Sequence, residues 1–154
     1  IDYLIAAKKT FGLVMIDLDN FKGINDNYGH VKGDQALKVF SKILSHTFKM
    51  ANVIGRYAGD EFIIVTENIN EKEISELMVQ LNTHIALEVE RLELPFEIGF
   101  SYGYKKWEKS LDYDYETLLY LTDQEMYKNK KLKQLNISIE SNLALNYKPL
   151  KISN

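Results

Sequence analysis

A chain of 154 residues, 45% hydrophobic and 27% charged, has the length and composition of one globular domain with its own core. A formal net charge of −3 excludes nucleic-acid binding through a strongly basic surface, and the absence of cysteine excludes disulfides and thiolate metal sites. No apolar run reaches bilayer-spanning length and no signal peptide is visible, so a cytoplasmic location is expected, either free or as the cytoplasmic part of a membrane-tethered protein.

The opening "IDYLIAAKK" reads as a piece cut from a longer protein. Phe11–Asp19, "FGLVMIDLD", is a short apolar run ending in acids, the pattern of a buried strand. From Asp34 to Phe48, apolar residues at Ala36, Leu37, Phe40, Ile43, Leu44 and Phe48 have helical spacing. "ANVIGRY" and "EFIIVTE" predict two strands joined by a tight "AGD" turn. A second helix follows, with Asn70 and Glu73 at capping-box spacing and a buried stripe of Ile74, Leu77, Met78, Leu81 and Ile85. "PFEIGFSYGY" alternates as a strand after Pro95, and "DYETLLYLTDQEMYKNKK" predicts a third helix with Leu118, Leu119 and Met126 inward. "LNISIE", Leu135–Glu140, alternates like a last strand, and 141–154 reads as a tail or linker. The expected architecture is α/β (α+β), with a ferredoxin-like βαββαβ core and a mixed, mostly antiparallel sheet flanked by helices.

That scaffold serves many functions, so function has to come from the site. Asp17 and Asp19 close the first strand, and Asp60 and Glu61 occupy the hairpin. First and third strands are neighbours in a ferredoxin-like sheet, so Asp17, Asp60 and Glu61 can meet at one edge and hold one or two hard cations, Mg2+ or Mn2+. Each acidic pair taken alone is better explained by a solvated strand end or turn. The segment Asp19–Asp34, "DNFKGINDNYGHVKGD", is a long connection for a compact domain, and is expected to be functional or to hold a short helix of its own. Lys22 there suits a phosphate. Asp34 suits guanine, whose N1 and 2-amino donors a carboxylate accepts together, although its position also suits a helix N-terminus.

Taken together, "MIDLDNFKGINDNYGHVKGDQAL" and "RYAGDEF" resemble the two principal blocks of the GGDEF family, the diguanylate cyclase domains of bacteria. "SYG" (Ser101–Gly103) and "DQEMYKNK" (Asp123–Lys130) resemble its later blocks, so the likeness runs from about Phe11 to about Lys133 and assigns 1–140 to the domain. The resemblance implies a nucleotidyl-cyclase or palm-like fold. It also implies condensation of two GTP into cyclic di-GMP, with one GTP on each subunit of a homodimer. By that resemblance Asp17, Asp60 and the Leu18 carbonyl hold the metals, and Glu61 serves beside them as base or metal-linked aid. Asn25 and Asp34 read guanine, Lys22 and Lys130 touch phosphate, and Gly59 lets the turn approach the nucleotide.

Three positions depart from the family pattern. Ala58 replaces the first glycine of the signature, and Gln134 stands where an arginine is common, with Lys131 and Lys133 nearby. "KMAN" (Lys49 to Asn52) replaces the RxxD of the product-inhibition site, so weak or absent feedback binding is expected there. A GTP-binding regulatory module without turnover, linked to sensor or phosphodiesterase domains outside this segment, is the alternative to an active cyclase. An RNA-binding domain on the same plan is disfavoured by the acidic balance. His30 and Trp107 read as structural, and of "KNKKLK" only Lys130 is expected to act on substrate.

Overall fold

The computed structural model describes Leu4, residues 9–108, residue 111 and residues 114–146, with side chains described as far as residue 138. Its elements are β1 (Phe11–Leu18), α1 (Phe21–Tyr28), α2 (His30–Thr47), β2 (Val53–Ala58), β3 (Glu61–Glu67), α3 (Glu71–Arg91), β4 (Phe100–Trp107) and α4 (Tyr115–Asn146). The strands form one sheet in the order β2-β3-β1-β4, antiparallel at every pairing among the described residues. The expected α+β sandwich is present, and no parallel pairing of a mixed sheet occurs among those residues.

β1 is central and apolar on both faces because both are covered. Val14, Ile16 and Leu18 meet Phe40, Leu44, Ile74, Leu81 and Ile85 from α2 and α3. Phe11 and Leu13, on the alternate positions, meet Val65, Trp107 and Leu118 beneath α4. Each fully buried large aliphatic or aromatic side chain contributes about 1.5–3 kcal/mol. Trp107 is part of this packing, stacked on Phe11 with ring centroids 5.5 Å apart. The Asn70–Glu73 capping box forms in full, with Glu73 N–H donating to Asn70 Oδ1 at 3.0 Å and Asn70 N–H to Glu73 Oε2 at 2.9 Å.

Three boundaries differ from the sequence reading. The Asp19–Asp34 connection contains α1, and α2 begins at His30, so Asp34 lies in the second turn of its helix. β4 begins at Phe100, well after Pro95, because Phe100 pairs with Leu18 at the end of β1 and earlier residues have no strand to pair with. Leu135–Glu140 is helix and not a strand. Six alternating residues suit either period, but α4 arrives there with no glycine or proline to stop it, and extending a helix costs far less than nucleating a new element. Leu135 and Ile137 accordingly stay more than half exposed. α4 continues to Asn146, across the expected domain edge, and 147–154 of the expected tail lie outside the described residues.

Candidate functional site

The end of β1 and the tip of the β2–β3 hairpin lie side by side. Asp17 is directly opposite Glu61 in the β1–β3 register and opposite Ser101 in the β1–β4 register. Residues opposed in this way share a face of the sheet. Leu18 N–H donates to the Asp60 carbonyl at 3.2 Å, which ties the turn to the strand end. Gly59 adopts a left-handed φ of 43°, whereas Ala58 is not among the positive-φ residues. An extra residue in β2 between Arg56 and Ala58 bulges the strand at Tyr57, and Arg56 Nε braces the turn by donating to the Gly59 carbonyl at 2.6 Å. The glycine that the signature lacks is therefore not the one whose backbone needs freedom.

Asp17 and Glu61 lie on the face covered by α4. Gly103 of β4 makes that cover close, since a Cβ there would stand 2.2 Å from the Thr122 carbonyl oxygen and 2.5 Å from the Met126 nitrogen. Lys130 of α4 reaches down to Asp17 Oδ1 at 2.5 Å. Burial raises the Asp17 carboxyl above the usual aspartate range, with Asp60 and Asp19 adding to the rise and Lys130 opposing it. Burial also raises Glu61, followed by the charges of Asp17, Asp123 and Asp60, again against Lys130. Burial and, after it, the neighbouring acids disfavour the charged form of both carboxyls, and a cation bound between them would favour it. The donor chemistry, carboxylates and carbonyls without imidazole or thiolate, fits a hard divalent ion. Among the described residues, however, no three such side chains are gathered round a common point.

The α1–α2 pair brings Asn25 against Gly33, the residue before Asp34. The Asn25 side chain rests on Gly33, where a Cβ would stand 2.0 Å from Asn25 Oδ1. Exposed Asp34 lines a groove of about 590 Å³ with Leu37, Lys38, Ser41, Arg56 and Phe62. Lys22 is exposed on the first turn of α1.

Asn52 has a different setting. It precedes β2, at the end away from the turn, and its side chain exchanges two hydrogen bonds with Glu67, Nδ2 to Oε1 at 3.0 Å and Glu67 N–H to Oδ1 at 2.8 Å. Lys9 holds the same carboxylate at 3.0 Å.

Sequence reasoning missed Asp123, whose charge bears on Glu61, and the group around Asp19. Asp19 accepts from Ser101 Oγ at 2.7 Å and from Lys133 Nζ at 2.5 Å. Lys133 stands three residues after Lys130, a spacing that puts both on one helix face, but the signal is lost if the helix is ended before it. Lys131, the other lysine near Gln134, lies 4.4 Å from the Tyr127 ring centroid.

Comparison with known proteins gives a consistent result. Residues 2–136 match the family described as "Diguanylate cyclase, GGDEF domain". The chain is 37% identical over 101 residues to cyclic di-GMP phosphodiesterase PdeR of Escherichia coli K12, covering 64% of this chain and 14% of that protein. It is 44% identical over 61 residues to diguanylate cyclase A of Treponema denticola, covering 40% of this chain and 16% of that protein. The active GGEEF domain of a Vibrio cholerae diguanylate cyclase superposes with a TM-score of 0.69 at 30% identity, covering 84% of this chain and 82% of that one. This chain thus spans a small part of the curated relatives and most of the solved domain.

Proposed function

The chain belongs to the GGDEF family of diguanylate cyclase domains, and from that premise we propose that it condenses two GTP into cyclic di-GMP with release of pyrophosphate. The observation that carries this reading is the meeting of Asp17 with Glu61 across paired strands, closed by the Leu18–Asp60 hydrogen bond. Asp17, Asp60, Glu61 and the Leu18 carbonyl would hold Mg2+ or Mn2+, which supplies charge neutralisation for the triphosphate and polarises the attacking hydroxyl when bound. Asp34 accepts from the guanine N1 and 2-amino groups, with Asn25 beside it. Lys22 and Lys130 neutralise phosphate oxygens, and Gly59 lets the turn backbone come close. Glu61 takes the proton of the 3′-hydroxyl as it attacks the α-phosphate of the nucleotide on a second copy. The new bond joins that oxygen to phosphorus as the bond from the α-phosphorus to the oxygen bridging to the β-phosphate breaks and pyrophosphate leaves, and the reciprocal attack by the other 3′-hydroxyl closes the ring and releases the second pyrophosphate. Phosphoryl transfer needs mainly this positioning and charge neutralisation.

A second reading, a GTP-binding regulatory module without turnover, is favoured by one observation, the 37% identity to a protein named as a phosphodiesterase, of which the matched part is a small fraction. Incubation of the pure protein with GTP and Mg2+ or Mn2+, beside a Glu61→Gln variant, separates the two. The cyclase reading expects cyclic di-GMP from the unchanged chain and none from the folded variant. GTP bound but unconverted at high protein concentration would favour the module. Feedback binding of cyclic di-GMP at Lys49 and Asn52 is expected to be weak, since lysine lacks the guanidinium fork and the Asn52 amide is already paired with Glu67. Tight stoichiometric binding that depends on Lys49, seen by titration calorimetry, would contradict this.

A further inference from the structure

Two lysines one helical turn apart on α4 grip two aspartates two residues apart on the end of β1: Lys130 on Asp17, and Lys133 on Asp19. The two grips are built differently. Asp17 has the hairpin acids as neighbours, and under the proposed function it must give its oxygens to a cation while Lys130 turns to phosphate. Asp19 is held in a closed set of bonds. Its backbone N–H donates to the Gly99 carbonyl at 2.8 Å, Ser101 Oγ donates to its Oδ1 at 2.7 Å, and Lys133 Nζ donates both to its Oδ2 at 2.5 Å and to the Phe100 carbonyl at 3.1 Å. These bonds join β1, β4 and α4 at one point.

We propose that Lys133 is a positioning residue for the phosphate end of the site: by holding Asp19 and the Phe100 carbonyl, it keeps α4 over the end of β1 when Lys130 leaves Asp17 for the triphosphate. This rests on the GTP reading above. Lys133 is committed to Asp19 and supplies no phosphate contact in place of the arginine that Gln134 lacks; it keeps Lys130 within reach instead. Lys133 is also half exposed, so removing its charge leaves the core intact.

The test compares the binding of two probes by titration calorimetry with Mg2+ present: 3′-deoxy-GTP, which lacks the attacking hydroxyl, and GMP, which lacks the terminal phosphates. The variants are Lys133→Met, Asp19→Asn, the double variant and Lys133→Arg. Lys133→Met and Asp19→Asn are each expected to weaken 3′-deoxy-GTP roughly tenfold, the effect of one lost charge-assisted hydrogen bond. The double variant is expected to be no weaker than either, with GMP affinity unchanged throughout and Lys133→Arg recovering most of the loss. Equal weakening of GMP and 3′-deoxy-GTP would reduce Lys133 to a general structural tie and overturn the proposal. Binding that Lys133→Met leaves untouched would overturn it as well, with the nucleotide reading intact. Failure of the unchanged protein to bind 3′-deoxy-GTP would overturn that reading and this role together.

Discussion

Asp17 and Glu61 face one another across a strand pair, with burial and neighbouring acids raising both carboxyls. Each therefore holds its proton more tightly in the folded chain than in the unfolded one. A raised acid gives stability that is complete below its unfolded pKa and disappears as pH rises through the folded pKa. Ionisation of Glu61 thus opposes folding of the nucleotide-free protein. Glu61→Gln is expected to raise the neutral-pH melting temperature of the nucleotide-free protein, because the amide has no charge to desolvate or to set against Asp17, Asp123 and Asp60. The gain should vanish at acid pH below the ordinary glutamate range, where the unchanged side chain is itself neutral. A melting series across pH that shows no gain, or a gain growing toward acid, would contradict the electrostatic account. The signature turn gives a second residue-scale prediction. Nothing lies within 4 Å of a Cβ built on Gly59, so its requirement is conformational alone. Gly59→Ala should cost about 1–2 kcal/mol in urea unfolding through its left-handed φ. Ala58→Gly should give no stabilisation, and costs about 0.5–1 kcal/mol through added chain freedom.

At the scale of elements, the parts legible in the sequence were those whose pattern is set by burial. β1 announced itself because both of its faces are covered, and α3 because its capping box and its stripe of Ile74, Met78, Leu81 and Ile85 agree. The meeting of Asp17 with the hairpin was also legible, because it follows from which strands neighbour in this topology. What was not legible lay where local pattern and tertiary context part. "LNISIE" has strand-like alternation but belongs to a helix already under way, and Lys133 sits in a lysine run that reads as a solvated helix end until its Asp19 partner is seen. The start of β4 depends on where β1 ends, which Glu97 or Ile98 cannot reveal by themselves. The approach of α4 to β4 is equally invisible in "SYG" taken by itself. Gly103 is there because the Thr122 carbonyl and the Met126 backbone occupy the space of a side chain. Gly103→Ala must push the helix away from the strand that carries Ser101. It should destabilise the protein by about 1–3 kcal/mol, the usual range for overpacking, and should weaken GTP binding as Lys130 is lifted from the site. Chemical denaturation and calorimetry on the same sample check both, and full stability in this variant would mean that the helix does not sit so close.

At the scale of the molecule, the groove beside Asp34 is open, and the hairpin tip, with exposed Tyr57, Ala58 and Gly59, stands at the surface. Each domain has one set of the predicted nucleotide residues: Asp17 and Glu61, Asn25, Asp34 and Lys130 occur once each. Under the proposed function, condensing two nucleotides with one set apiece requires two such surfaces to face each other, and the exposed rim leaves room for that. Binding and turnover must then depend on protein concentration in different ways. Under the proposed function, binding of one GTP involves a single chain and should be constant per chain. Turnover requires an encounter, so below the dissociation constant of the pair the rate per chain should rise in proportion to concentration, and above it should level off. Initial rates of cyclic di-GMP formation over about a hundredfold range of protein, with GTP saturating, read this directly. A helical zipper fused ahead of the domain should lift the rate most at the dilute end, where encounter limits, without changing GTP affinity. A rate per chain that stays flat down to the most dilute sample, with the chain monomeric there, would leave no place for a second subunit in the reaction.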